Sequence, residues 1–116
     1  MPDREIKRGE IYLVNWNPAR GSEQAGNRPA LIIQNDIGNK VSPNTIVAGI
    51  STRIKESYPF VVHCKSGDGG LEKESAIDLA TIMTVPKTRL GMRIGQIGTT
   101  KMTEVDEAIK TSLGLS

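Results

Sequence analysis

The sequence predicts a mainly β protein with helix, of the α+β class: a small, partly open β-barrel of five to six strands with a C-terminal helix. Three observations lead there. At 116 residues the chain has room for one hydrophobic core, so residues 1–116 are expected to form a single domain. Its apolar side chains fall into short runs of strand length, divided by clusters of Gly, Pro, Asn and Asp that mark turns. Only the last stretch carries a helical repeat, and strands followed by one helix suit a capped barrel better than a doubly wound parallel sheet.

The first strand is "EIYLVNW", residues 10–16, which mixes β-branched, aromatic and aliphatic side chains and stops at Asn17-Pro18. A polar loop follows through Pro29, including "GSEQAGNRPA" at 21–30. "ALIIQN" at 30–35 is too short for a typical helix and reads as a buried central strand. "NDIGNKVSPN" after it is dense in turn residues and reads as a long turn. In "TIVAGIS", 45–51, alternation puts Ile46, Ala48 and Ile50 on one face and Val47, Gly49 and Ser51 on the other. "PFVVHCK" at 59–65 is a fourth strand, and "KSGDGGLEKE" at 65–74 leads out of it. "SAIDLATIMTV" at 75–85 is a strand with a bend in it, ended by Pro86, and "MRIGQIG" at 92–98 is a short strand. Thr103 and Asp106 suggest a helix start, after which Val105, Ala108, Ile109, Ser112 and Leu113 share one side. Gly114 stands where a C-terminal cap belongs.

Composition removes several function classes. The longest apolar run is only a few residues, far short of the roughly 20 that span a bilayer, so no transmembrane helix is expected. The start "MPDREIKRGE" is charged and has no apolar segment for a secretory signal, which points to the cytoplasm. Cys64, the only cysteine, excludes an intramolecular disulfide and reads as a packing residue. A net charge of +2 from 15 basic and 13 acidic side chains does not by itself mark a nucleic-acid binder.

Metal and nucleotide chemistry find little support. The only histidine is His63, and the acids are scattered singly, so a two-metal nuclease is not expected. His63 reads first as a structural strand residue, with a catalytic or binding role as the alternative. It cannot supply a two-histidine acid–base pair. Neither phosphate loop nor dinucleotide fingerprint occurs, and neither Ser22 nor Ser51 has the setting of a hydrolase nucleophile. No cofactor is implied.

Arginine, carboxylate and hydroxyl remain, and they suit attack of an RNA 2′-hydroxyl on its own neighbouring phosphate. The substrate supplies the nucleophile, so the protein need only move protons and stabilise a charged transition state. Arg28 offers a planar fork of donors to phosphoryl oxygens. Glu23 is suited to orient Arg28 or the attacking hydroxyl, and Ser51 to donate to a non-bridging oxygen. Each also has a plainer reading: Arg28 as an exposed arginine before Pro29, Glu23 and Gln24 as solvated loop, Ser51 as a strand-end hydroxyl bonded to backbone.

The stretch "KRGEIYLVNWNPARGSEQAGNRPALIIQNDIGN", residues 7–39, resembles the start of the MazF/PemK (Kid) family of toxin endoribonucleases. The resemblance rests on Arg8-Gly9-Glu10-Ile11-Tyr12, on the loop Gly21-Ser22-Glu23-Gln24-x-Gly26-x-Arg28-Pro29, and on Gln34-Asn35-Asp36. It implies an SH3-like barrel, a homodimer, and metal-independent cleavage of single-stranded mRNA to 2′,3′-cyclic phosphate and 5′-hydroxyl ends. It also implies a MazE-like antitoxin whose acidic tail occupies the RNA groove, with the 21–29 loop closing over that groove.

Carried over by position, Arg28 matches the family's catalytic arginine, favoured here for charge stabilisation and proton donation over basicity because a guanidinium carries donors and no acceptor. The second catalytic position is commonly threonine; here it is Ser51, with Thr52 beside it on the opposite face. Ser22, Glu23, Gln24, Thr52, Arg53, Lys55 and Lys65 are the supporting or RNA-binding residues. Tyr12, Trp16, Tyr58 and Phe60 are the only aromatic side chains, so base reading is expected mainly from hydrogen bonds of the 52–58 and 65–74 loops. The alternatives are a CcdB-like, non-nucleolytic inhibitor of a protein target and a catalytically weakened RNA-binding relative.

Overall fold

The computed structural model describes residues 5–15 and 27–115. Its strands are β1 (Glu10–Asn15), β2 (Asn27–Ile32), β3 (Asn44–Ser51), β4 (Val61–Cys64), β5 (Ser75–Pro86) and β6 (Leu90–Gln96); its helices are α1 (Asp36–Val41) and α2 (Thr99–Leu113). The six strands form one antiparallel sheet in the order β4-β5-β3-β2-β1-β6. Its outer strands do not pair with each other, so the barrel is open, as the strand count and terminal helix predict.

Both faces of the sheet are covered, which is why its central strands read as continuous apolar runs. Ala30, Leu31 and Ile32 are all fully buried, although alternation sends Leu31 to one face and its neighbours to the other. On one side Ile11, Leu31, Ala48, Ile50 and Ile77 pack with Val105 and Ala108 of α2. On the other, Tyr12, Val14, Ala30, Ile32 and Val47 pack with Ile6, Val85 and Leu90.

The bend expected within residues 75–85 is a bulge. Ala48 of β3 faces Ile82 of β5, yet Gly49 faces Asp78, so residues 79–81 are extra on β5 and the strand turns there. The first part of β5 therefore pairs with β4, through Ser75–Cys64 to Asp78–Val61.

Three local expectations are corrected. Residues 36–41, expected as turn, form α1, held by Asn35 Oδ1 accepting from the Gly38 N–H at 2.8 Å. Six residues are too few to show a helical repeat, so capping rather than periodicity was the readable signal. Helix α2 begins at Thr99, not at Thr103. The Thr103 hydroxyl donates to the Thr99 carbonyl at 3.1 Å inside the helix, and Asp106 pairs with Arg8 at 2.7 Å. Finally, β2 starts at Asn27, which puts Arg28 and Pro29 in a strand rather than a loop. At the far end of α2, Gly114 is left-handed with φ 72°, and the Leu115 N–H donates to the Lys110 carbonyl at 2.8 Å, as expected of the cap. No helix among the described residues is long and apolar enough to cross a membrane.

Candidate active site

Arg28 lies across β1 from Val14, and the β2–β3 register, which pairs Ala30 with Gly49, brings it level with Ser51 two residues further out. Positions two apart share a face. Arg28 and Ser51 therefore line one cleft of about 410 Å³, with Gly49 beside Ser51 on β3 and a β5 wall of Asp78, Thr81 and Met83. The bulge on β5 makes that wall. It turns Asp78 so that one carboxylate oxygen accepts the Ala80 N–H at 3.0 Å and the other accepts the Thr81 hydroxyl at 2.9 Å.

The Ser51 hydroxyl accepts the Arg53 N–H at 3.0 Å, which is the backbone bond anticipated for a strand-end serine. Its own O–H proton is still available for donation, so the structural bond and a catalytic role are compatible. Thr52 points into a second cleft of about 520 Å³, lined by Leu13, Leu71, Met92 and Arg93, and Pro29 forms a wall of both. Arg93 is held there by Glu10, Nε to Oε2 at 3.0 Å; Glu10 is nearly buried and also accepts from the Tyr12 hydroxyl at 3.1 Å.

The remaining predicted residues scatter. Arg53 and Lys55 are exposed on the loop that leaves β3, and Lys55 lines a small pocket with His63 and Glu74. Lys65 lies beyond β4, its N–H donating to Asp68 Oδ2 at 2.8 Å, and lines neither cleft. Ser22, Glu23 and Gln24 lie outside the described residues, as does the loop expected over the groove.

Asp78 and Thr81 are the site residues that sequence reasoning missed. The readable signal was a single carboxylate in an otherwise apolar strand, "AIDLA". What hid it was the bulge, which no alternation pattern announces.

Other reactive groups stand apart from the cleft. His63 Nε2 bonds the Glu56 carbonyl at 2.7 Å, so that nitrogen carries the proton and the ring ties the 52–60 loop to β4. Cys64 is buried, and burial pushes its thiol up, which suits an inert packing residue. Among the described residues, no group of three or more His, Cys, Asp or Glu side chains is placed to hold a metal ion. The chemistry the cleft offers is thus a guanidinium and a hydroxyl that donate, facing a carboxylate that accepts.

Comparison with known proteins finds the family described as PemK-like, MazF-like toxin of type II toxin-antitoxin system, matched over residues 7–113. Among solved structures, the chain is similar to an endoribonuclease in complex with its cognate antitoxin from a mycobacterial species, at TM-score 0.81 and 22% identity, covering 96% of this chain and 97% of that one. It is similar to the Mycobacterium tuberculosis toxin MazF-mt6, at TM-score 0.78 and 22% identity over 92% and 98% of the two chains. A MazE–MazF structure from Deinococcus radiodurans matches at TM-score 0.76 and 20% identity, over 98% and 100%. At these identities the structural likeness speaks for the fold.

Proposed function

The chain belongs to the PemK-like, MazF-like toxins of type II toxin–antitoxin systems, and from that premise we propose that it is a sequence-specific endoribonuclease, an mRNA interferase acting on single-stranded mRNA. The observation that carries this reading is the convergence of Arg28, Ser51 and Asp78 on one cleft. RNA brings its own nucleophile, the 2′-hydroxyl, so a site needs only an acceptor for that proton and donors for the phosphoryl oxygens.

Each residue then has a role. Asp78, whose carboxylate is already oriented by Ala80 and Thr81, accepts the 2′-hydroxyl proton as O2′ bonds to phosphorus. Arg28 places its donors on the non-bridging oxygens, where negative charge accumulates, and donates toward O5′ as the phosphorus–O5′ bond breaks. Ser51 donates a further hydrogen bond to a non-bridging oxygen. The products are a 2′,3′-cyclic phosphate and a 5′-hydroxyl, and the step uses protein groups alone. Thr52, Arg53 and Lys55 are assigned contacts to the RNA strand on either side of the cleft, and Lys65 one further off; Ser22, Glu23 and Gln24, which fall between β1 and β2 in the sequence, are assigned supporting contacts. The same convergence favours a nuclease over a CcdB-like inhibitor of a protein target, for which no grouping of cation, hydroxyl and carboxylate is needed.

The whole chain, residues 1–116, acts in this reading as one cytoplasmic toxin domain that pairs as a homodimer. A MazE-like antitoxin with an acidic tail blocks the cleft. Support for that partner comes from the similar structures described with a cognate antitoxin or with MazE. The deciding experiment incubates the purified protein with a long single-stranded RNA in excess EDTA and maps the fragment ends. Discrete cuts leaving 5′-hydroxyl ends are expected; RNA that stays intact overturns the reading.

A further inference from the structure

The chain has four aromatic residues, one Trp, two Tyr and one Phe, and it spends two of them on an exposed turn. Tyr58, Pro59, Phe60 and Val61 form that turn, closed by the Val61 N–H donating to the Tyr58 carbonyl at 3.1 Å. The Tyr58 and Phe60 rings stack with centroids 5.1 Å apart and planes 6° from parallel. Proline at the second position limits the backbone freedom of the turn, and the two stacked rings on it form a flat plate. Tyr58 remains 45% exposed, and stacking on Phe60 occupies only one of its faces.

The plate is tied to the cleft from both sides. The Phe60 carbonyl accepts the Leu79 N–H at 2.9 Å, within the bulge whose Asp78 and Thr81 wall the cleft. At its other end the 52–60 loop leaves directly from Ser51, and Ile54 lines the same cleft. Along the loop stand exposed Arg53 and Lys55, with one carboxylate, Glu56, whose Oε1 accepts the Lys55 N–H at 3.2 Å. The His63 bond to the Glu56 carbonyl, at 2.7 Å, fastens the middle of the loop to β4.

We propose that Tyr58, backed by Phe60, is a base-stacking platform for a nucleotide flanking the cleaved phosphodiester, and so a substrate-binding residue of this enzyme. The proposal rests on the endoribonuclease reading above. A flat, exposed π-face beside cationic side chains is the arrangement that holds single-stranded nucleic acid, because every base has a face to stack while the phosphates take the charges. It adds an aromatic contact to the sequence-based expectation that base reading rests mainly on loop hydrogen bonds.

The test is a fluorescence-anisotropy titration of the full chain with labelled single-stranded 2′-fluoro RNA of mixed sequence, which lacks the nucleophile and so reports binding without cleavage. Tyr58→Ala and Tyr58→Leu are expected to weaken binding about tenfold, and Tyr58→Phe to stay within about twofold of the parent. Leucine still covers Phe60 but has no π-face, so its loss separates stacking from support of the loop. Unchanged affinity in the alanine and leucine variants overturns the platform, as does a loss in Tyr58→Phe equal to theirs. No binding by the parent protein overturns it as well. Weakened capture of an acidic peptide with RNA affinity intact assigns Tyr58 to a protein partner and overturns the proposal too. Cleavage of ordinary RNA by the parent is measured alongside: no cutting, combined with Tyr58-dependent binding, sinks the nuclease reading and leaves the platform standing.

Discussion

Arg28 is an exposed side chain near the start of a strand, and its importance comes from where the register holds it. Level with Ser51 and lining the same cleft as Asp78, it is placed, in the proposed reading, to take the phosphate while the carboxylate takes the 2′-hydroxyl proton. Arg28→Ala is expected to abolish cleavage with the thermal melting profile unchanged; full activity in that variant removes the assignment. Ser51→Ala is expected to slow cleavage about tenfold or more, the loss of one transition-state hydrogen bond, in single-turnover assays. Ser51→Thr keeps the hydroxyl and restricts its rotamer, so it should retain or raise the rate. Asp78→Asn keeps an acceptor for the Ala80 N–H but loses basicity, and a fall of about a hundredfold in rate is expected at neutral pH. Arg28 and Ser51 were readable as candidates because a fork of cationic donors and a hydroxyl suit a phosphoryl group, and because both stand at positions that the family resemblance marks. Asp78 was not, because its partner across the sheet depends on an irregular register.

At the scale of elements, two short pieces place the rest. Helix α1 depends on its cap, and inside it Asn39, 2% exposed, ties the chain together by donating to the Gln34 carbonyl at 3.0 Å and accepting the Thr45 hydroxyl at 2.7 Å. Asn35→Ala removes the cap and is expected to cost about 1 kcal/mol in urea unfolding. The 3-10 turn Asp68–Gly70 lies against β6 so closely that a Cβ at Gly70 runs into the Ile94 carbonyl, and Gly70 has φ 84°. Gly70→Ala meets both obstacles, so it should cost more than about 1 kcal/mol and lower the melting temperature. Strand β3 and the apolar side of α2 were plain in the sequence, since Val105 and Ala108 recur at helical spacing and are buried. The start of α2 was not, because Thr103 and Asp106 imitate a helix start yet answer to the Thr99 carbonyl and to Arg8.

For the whole molecule, the sheet is the shared wall of two cores, and the N-terminal segment ties the end of β2 and the start of α1 to α2. The Arg8 backbone N–H donates to Asp36 at 2.7 Å, its Nε donates to the Ile33 carbonyl at 2.7 Å, and its guanidinium pairs with Asp106 on α2. The hydrogen bond from the Arg8 backbone, first, and then Asn39 and the charges of Lys7 and Arg8 hold the Asp36 carboxyl below its ordinary value of 3.8. A lowered carboxyl stabilises the fold in its charged form, so its contribution is present above the ordinary value and is lost as pH falls through the lowered one. The stability difference between the parent and Asp36→Asn should therefore be largest near neutral pH and shrink in acid; a constant difference across pH removes the ionic part of the argument. Leu31, fully buried in the first core, cannot be trimmed without leaving a cavity, and Leu31→Ala is expected to cost about 2–5 kcal/mol by denaturant unfolding.

The sequence by itself determined the strand-rich class, the terminal helix with its glycine cap, and the kinds of side chain available for chemistry, because these depend on local composition and on repeats of two and 3.6 residues. Tertiary structure alone decided which of those side chains meet. The register that sets Arg28 level with Ser51, the bulge that turns Asp78 toward them, and the β4 edge that presents Tyr58 are products of pairing between distant segments. Such pairing is chosen by the energy of burying both faces of the sheet at once, and no single stretch of the chain contains it.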